Sequence, residues 1–224
     1  ILAEDLDRDG DVDFVIGNHG LNSRFKATKE QPVALFTSDF DQNGTLDAIL
    51  SKYQSNGKAY PYGLRHNLID QIKELKRKYP DYKSFKNASI EDIFSKEQLE
   101  GAFELQANQM ATVVLINNGN FNFTIKELPW QAQSTPIYAI AAADFDKDGD
   151  KDLILGGNLH SVKPEVGRYD ASYGTLLLND GQLNFTAADP KSGFSIPGEI
   201  RDFIVMDNQV IVSRNRAKVV QIKY

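Results

Sequence analysis

Asp144-Phe-Asp-Lys-Asp-Gly-Asp-Lys-Asp152 follows the β-prone run Tyr138–Ala143 and leads straight into Leu153-Ile-Leu155. The same nine-residue register recurs as Asp5-Leu-Asp-Arg-Asp-Gly-Asp-Val-Asp13, before Phe14-Val-Ile16. It recurs again as Asp39-Phe-Asp-Gln-Asn-Gly-Thr-Leu-Asp47, between Val33–Phe36 and Ala48-Ile-Leu50. Short apolar, β-branched and aromatic runs on both sides mean that each loop joins two strands, not two helices. Self-similarity of this kind marks a repeat architecture.

The loops have the chemistry of a hard-cation site. Calcium takes six to eight oxygen ligands, and a short loop supplies them when carboxylates alternate with outward-pointing residues. Positions 1, 3 and 5 do so with Asp5, Asp7 and Asp9, with Asp39, Asp41 and Asn43, and with Asp144, Asp146 and Asp148. Position 6 is Gly10, Gly44 or Gly149, where the chain must turn sharply. Position 7 (Asp11, Thr45 or Asp150) offers its carbonyl, and position 9 is Asp13, Asp47 or Asp152. An EF-hand needs flanking helices and a glutamate at position 12, where this chain has Ile16, Leu50 or Leu155, so that motif is excluded. Asp, Asn and Gly also favour plain turns, but three copies in one register argue against that reading. The expectation is up to three Ca2+ ions, the second loop binding weakest because an amide replaces one carboxylate.

Composition agrees. Of the 224 residues 41% are hydrophobic, including 13 Phe and 9 Tyr, which suits a folded β-rich chain. Cysteine is absent, so neither disulfides nor thiolate zinc sites hold the fold, which leaves another staple to be found, such as a metal. The formal net charge of −6 argues against a nucleic-acid partner, and three divalent ions would cancel it. Apolar runs such as Ile137–Ala143 are too short to span a membrane.

Further strand pairs flank Asn117-Asn-Gly-Asn120 and Asn179-Asp-Gly-Gln182, turns that supply the positive φ of tight hairpins. Leu115-Ile-Asn-Asn-Gly and Leu178-Asn-Asp-Gly make a second repeat, offset from the first. Ile137 to Thr186 reads as four antiparallel strands, one propeller blade. Ile200–Met206, Val210–Ser213 and Val219–Tyr224 read as another blade, without an acidic loop. The first two loops, 34 residues apart, are assigned to one blade. Between about Tyr62 and Glu104 helix patterns replace strand patterns. Leu68, Ile69, Ile72, Leu75 and Tyr79 keep helical spacing up to Pro80, and Ser89–Asp92 and Ser95–Gln98 read as capping boxes. Lys73, Lys76, Arg77 and Lys78 there form a solvated helix face, with an anionic partner surface as the lesser reading. The expected fold is all-β, built of β-propeller blades with a helical insertion: residues 1–61 blades with two calcium loops, 62–110 mainly helical, 111–224 blades with one calcium loop and a degenerate last blade.

The Asp-x-Asp-x-Asp-Gly-x-x-Asp loops between strands, with Leu153-Ile-Leu-Gly-Gly157 after the third, resemble FG-GAP repeats, also called VCBS repeats. That resemblance implies the seven-bladed, calcium-binding β-propeller of integrin α subunits and of many bacterial secreted or surface proteins, with the metal ligands at the loop positions named above. The family's Phe-Gly…Gly-Ala-Pro signature is not legible, and 224 residues with a long insertion are too few for seven blades, which implies a partial propeller or a fragment.

The implied role is a non-catalytic extracellular module, secreted or on the cell surface, that binds an unknown protein or glycan. Asn43, in an Asn-Gly-Thr acceptor site within a metal loop, favours a bacterial envelope, because a glycan there would disrupt binding. The alternative is a catalytic propeller, a hydrolase or lyase acting on polysaccharide, with its site in the inter-strand loops. The three histidines, His19, His66 and His160, have no triad or metal spacing. His19 and His160 follow equivalent strands, in Gly17-Asn-His-Gly20 and Gly157-Asn-Leu-His160, and mark possible ligand loops. Glu165 and Asp170 are the least explained acids.

Overall fold

The computed structural model describes residues 1–189 and 194–224. In chain order the strands are β1 (Leu2–Glu4), β2 (Asp13–Ile16), β3 (Val33–Ser38), β4 (Asp47–Tyr53), β5 (Ala59–Pro61), β6 (Phe103–Ala107), β7 (Val113–Asn117), β8 (Phe123–Glu127), β9 (Ile137–Ala143), β10 (Asp152–Gly157), β11 (Thr175–Asn179), β12 (Phe185–Ala187), β13 (Ile200–Met206), β14 (Gln209–Arg214) and β15 (Val220–Lys223). Five short helices, α1 (Arg65–Gln71), α2 (Leu75–Lys78), α3 (Tyr82–Phe85), α4 (Ile90–Ile93) and α5 (Lys96–Glu100), lie between β5 and β6. The strands form four antiparallel sheets, and the chain forms two compact units: residues 1–23 with 111–224, and residues 24–110.

The larger unit holds three sheets, ordered β1-β2-β7-β8, β12-β11-β10-β9 and β13-β14-β15. β10 sits between two cores. Its successive side chains point to opposite faces, so Leu153 and Leu155 join Leu6, Val15, Val114, Leu177 and Leu183 on one side. Ile154 joins Ala139, Ile200, Phe203 and Val212 on the other. All three residues of Leu153-Ile-Leu155 are fully buried, which explains an uninterrupted apolar run where a half-exposed strand would alternate.

The smaller unit is the sheet β5-β4-β3-β6 with the helices. Its core gathers Phe40, Ile49, Leu68, Ile72, Leu75, Tyr79, Ile90 and Phe94. Both expected capping boxes form, Ser89 with Asp92 and Ser95 with Gln98. The helical run ending at Pro80 is not one helix. It breaks at Ile72, which turns to an extended backbone (φ −113°, ψ 92°), and α2 restarts at Leu75. Arg65, at the start of α1, donates from Nε to the Tyr79 carbonyl and from Nη2 to that of Pro80, closing the end of α2. Lys78 leaves the expected solvated face, because its ammonium donates to the carbonyls of Asp92 and Ile93.

Two expectations about chain organisation are corrected. The loops 5–13 and 39–47 do not share a blade: the first joins β1 to β2 and the second joins β3 to β4, in different sheets. The strand beside β2 is β7, with Phe14 opposite Leu115, so residues 24–110 depart and return between two neighbouring strands. The compact units therefore break at 23/24 and 110/111 and not at 61/62, and the second acidic loop belongs with the helices. The blade read from Ile137 to Thr186 matches the consecutive order β9 to β12, and the last three strands form one sheet.

Candidate metal centres

Each acidic loop sits in an identical place in its hairpin. Position 1 follows the last residue of one strand and position 9 opens the next, so the closing pairs are Glu4–Asp13, Ser38–Asp47 and Ala143–Asp152. Inside the loop the chain turns through left-handed backbone at position 4 (Arg8, Gln42, Lys147; φ 62°, 58° and 68°) and at the position-6 glycine (φ 96°, 87° and 105°). A side chain at the second of these positions would be strained, hence glycine in every copy.

Three hydrogen bonds recur. The position-2 amide donates to the position-9 carboxylate: Leu6 to Asp13 (3.2 Å), Phe40 to Asp47 (3.1 Å) and Phe145 to Asp152 (2.8 Å). The glycine amide donates back to position 1: Gly10 to Asp5 (3.2 Å), Gly44 to Asp39 (2.8 Å) and Gly149 to Asp144 (3.1 Å). The position-7 amide donates to position 5: Asp11 to Asp9 (2.8 Å), Thr45 to Asn43 (2.8 Å) and Asp150 to Asp148 (2.9 Å). Position 2 also anchors the loop in the core, through buried Leu6 and Phe40 and through Phe145, which meets Tyr224 edge to face at 4.7 Å.

The carboxylates converge in threes: Asp5, Asp7 and Asp9; Asp39, Asp41 and Asp47; Asp144, Asp146 and Asp152, with ligand oxygens in each set within 4.8 Å of one another. Oxygens on opposite sides of a calcium ion stand about 4.6–5.2 Å apart, so each set can share one ion. One carboxylate oxygen per loop, Oδ1 of Asp5, Asp41 and Asp144, is buried without a hydrogen-bond partner. A buried anionic oxygen left unpaired is costly, and its place inside an acid triplet fits a cation. Burial raises the carboxyls of Asp13, Asp47 and Asp152 above the usual range; backbone amides oppose that rise and neighbouring loop acids add to it. A bound cation would favour their ionised forms.

Other expected ligands stand apart from these sets. The side chains of Asp11 and Asp150 reach toward the neighbouring Asn-Gly turns: a Cβ on Gly119 would lie 3.4 Å from Asp11 Oδ2, and one on Gly181 only 2.6 Å from Asp150 Oδ2. Their carbonyls stay available as position-7 ligands, as Thr45's does. Gly181 also has φ 75°, so Gly181→Ala is expected to cost about 1–2 kcal/mol, read as a lower denaturation midpoint; an unchanged midpoint would refute this account of the contact.

Two site residues escaped the sequence reading. Asn117 and Asn179, heads of the Asn-Gly turns, donate their backbone amides to the second oxygens of Asp13 and Asp152, both at 2.9 Å. The signal for them is the offset Leu-x-Asn-x-Gly and Leu-Asn-Asp-Gly repeat, which by itself specifies only a turn. Asp47 has no such clamp, because β5 pairs with β4 only from Ser51 onward.

The possible ligand loops meet through Tyr169, which pairs with Leu159, next to His160, and packs its ring on His19. His19 stands edge to face on Tyr169 at 4.8 Å, and burial lowers its pKa. His160 donates its backbone amide to Glu199, whose carboxylate also meets Arg201.

Residues 105–155 match the model of the FG-GAP-like repeat. The match takes in β7, β8, β9, the third acidic loop and most of β10, so one FG-GAP-like repeat spans the second hairpin of one sheet and the first hairpin of the next. That offset is the one seen between the two sequence repeats. A comparison with curated proteins finds no match. No helix among the described residues is long and apolar enough to cross a membrane.

Proposed function

We propose that the chain is a calcium-stabilised module of the β-propeller type that works outside the cell and presents its inter-strand loops to a protein or glycan without chemistry of its own. The observation that carries this reading is the orphaned buried oxygen within a carboxylate triplet, repeated in three loops that share one hydrogen-bond scheme. Asp5, Asp7 and Asp9, Asp39, Asp41 and Asp47, and Asp144, Asp146 and Asp152 would hold the ions, with Asn43 and Asp148 and the carbonyls of Asp11, Thr45 and Asp150 completing the shells. Calcium supplies charge neutralisation and a fixed crossing point for the loop. It activates water poorly beside zinc, which favours a structural part. Sites of this class in extracellular modules bind at about 10⁻⁴–10⁻³ M, where calcium outside cells keeps them filled.

The test compares Asp146→Ala with Glu165→Ala, an exposed acid outside every triplet. In calcium the first is expected to melt several degrees below wild type and the second alongside it; in EDTA the gap should close. Equal behaviour in calcium would remove the third loop from the metal sites. Screening against glycans and surface proteins should give binding without turnover, whereas hydrolysis that survives EDTA would make the module an enzyme.

A further inference from the structure

The first and third loops lie in different sheets of the larger unit, yet one side chain ties them. Asn179 is buried, 3% exposed. Its Nδ2 donates to the carbonyl of Leu6, position 2 of the first loop, at 3.0 Å, and to that of Lys151, position 8 of the third, at 3.1 Å. Its backbone amide holds Asp152, a member of the third triplet. Leu6 in turn donates to Asp13, position 9 of its own loop. Two ion pairs run across the same seam. Arg8, position 4 of the first loop, meets Asp150, position 7 of the third, at 3.6 Å, and Glu4, next to Asp5, meets Lys151. Leu6 and Leu153, from the two hairpins, share one core. The second loop has none of this and lies in the other unit.

We propose that Asn179 couples the two calcium centres of the larger unit, so that an ion in either loop tightens binding in the other. The inference rests on the calcium reading above. An ion fixes the path of its loop. For the third loop that path includes the Lys151 carbonyl and Asp152, and through Asn179 it sets the Leu6 peptide. The Leu6 amide positions Asp13 and closes the first loop. A site whose backbone is already ordered binds with less conformational entropy left to lose. Coupling of this kind is reciprocal: the factor by which the third site tightens the first equals the factor in the other direction.

The position-6 amides report each loop separately, because Gly10, Gly44 and Gly149 each donate to their own position-1 carboxylate. Calcium is titrated into the full chain while these three amide resonances are followed by NMR. In wild type, Gly10 and Gly149 are expected to respond over one shared calcium range. In Asp146→Ala, an exposed substitution, Gly149 should go silent while the Gly10 midpoint moves to about five-fold or more higher calcium; Gly44 should keep its midpoint. Asp7→Ala should shift Gly149 by the same factor. In Asn179→Ala both resonances should titrate independently, and adding Asp146→Ala should then leave Gly10 unmoved. A purely structural asparagine would weaken both sites yet leave the shift caused by Asp146→Ala intact, which would overturn its role. A Gly10 midpoint indifferent to Asp146→Ala in the otherwise wild-type chain would overturn the coupling. Silence of all three glycines would instead overturn the calcium reading, and the coupling with it.

Discussion

In about 2 mM calcium the larger unit is expected to melt roughly 8–15 °C above its value in excess EDTA. The size follows from mass action. A site with a dissociation constant of about 10⁻⁴ M, filled at that concentration, adds about 2 kcal/mol, and two such sites add about 4 kcal/mol. For a unit of this size each kilocalorie moves the midpoint by about 2–4 °C. The electrostatics agree in sign. Carboxylate oxygens that all lie within 4.8 Å of one another in a triplet repel, by about 3 kcal/mol or more per pair at moderate screening, and the cation reverses that repulsion. The smaller unit has one loop with Asn43 in place of an aspartate, so its own transition should shift less. Magnesium should recover little. It demands near-ideal octahedral geometry at about 2.0–2.1 Å and gives up its waters reluctantly, whereas calcium takes six to eight oxygens in looser geometry, which suits a loop of alternating carboxylates and carbonyls better. Calorimetric scans in calcium, magnesium and EDTA decide the matter. Superimposable scans would reduce the loops to acidic turns.

The parts of the fold that the sequence made legible are those with local causes. Alternating acids around a glycine, flanked by apolar runs, mark a loop between two strands, and Leu153-Ile-Leu155 marks a strand buried on both faces. The Asn-Gly turns locate hairpins, and Ser-x-x-Asp and Ser-x-x-Gln locate caps. What stayed hidden has long-range causes. Nothing in the run around Phe14 says that its neighbour is Leu115 and not a strand from the next thirty residues, so the sequence does not reveal that the first two acidic loops lie in different sheets. The break at Ile72 is tertiary as well: Leu68, Ile72, Leu75 and Tyr79 keep helical spacing because they share a core, while Arg65 closes the second helix from outside it. At the sites, the ligands could be read because calcium chemistry fixes their spacing within nine residues. Asn117 and Asn179 could not be read as clamps, because an Asn-Gly pair is sufficiently explained by its turn until the facing Asp is seen.

Those clamps make position 9 unequal among the three loops, and Asp→Asn substitutions in EDTA expose the difference. In Asp152 both carboxylate oxygens accept backbone amides, Oδ2 from Phe145 at 2.8 Å and Oδ1 from Asn179 at 2.9 Å. An asparagine has one acceptor oxygen, so its amide nitrogen would face a backbone N–H. One charge-assisted hydrogen bond is lost and a buried donor is left unpaired, a cost of about 2–4 kcal/mol. Burial also raises the Asp152 pKa, so the neutral side chain recovers some desolvation, but the lost acceptor outweighs it. Among the described residues Asp47 accepts from one backbone amide, that of Phe40, through Oδ2 at 3.1 Å, and its carboxylate forms a triplet with Asp39 and Asp41. There an asparagine keeps the amide bond and removes a repelling charge, so Asp47→Asn should be close to neutral in EDTA. In calcium both variants should lose stability, since each removes a ligand charge. Denaturation midpoints of the two units, with and without calcium, separate these cases. Equal losses for Asp152→Asn and Asp47→Asn in EDTA would mean that the second amide contact at position 9 contributes nothing, and that the third loop is held by its metal alone.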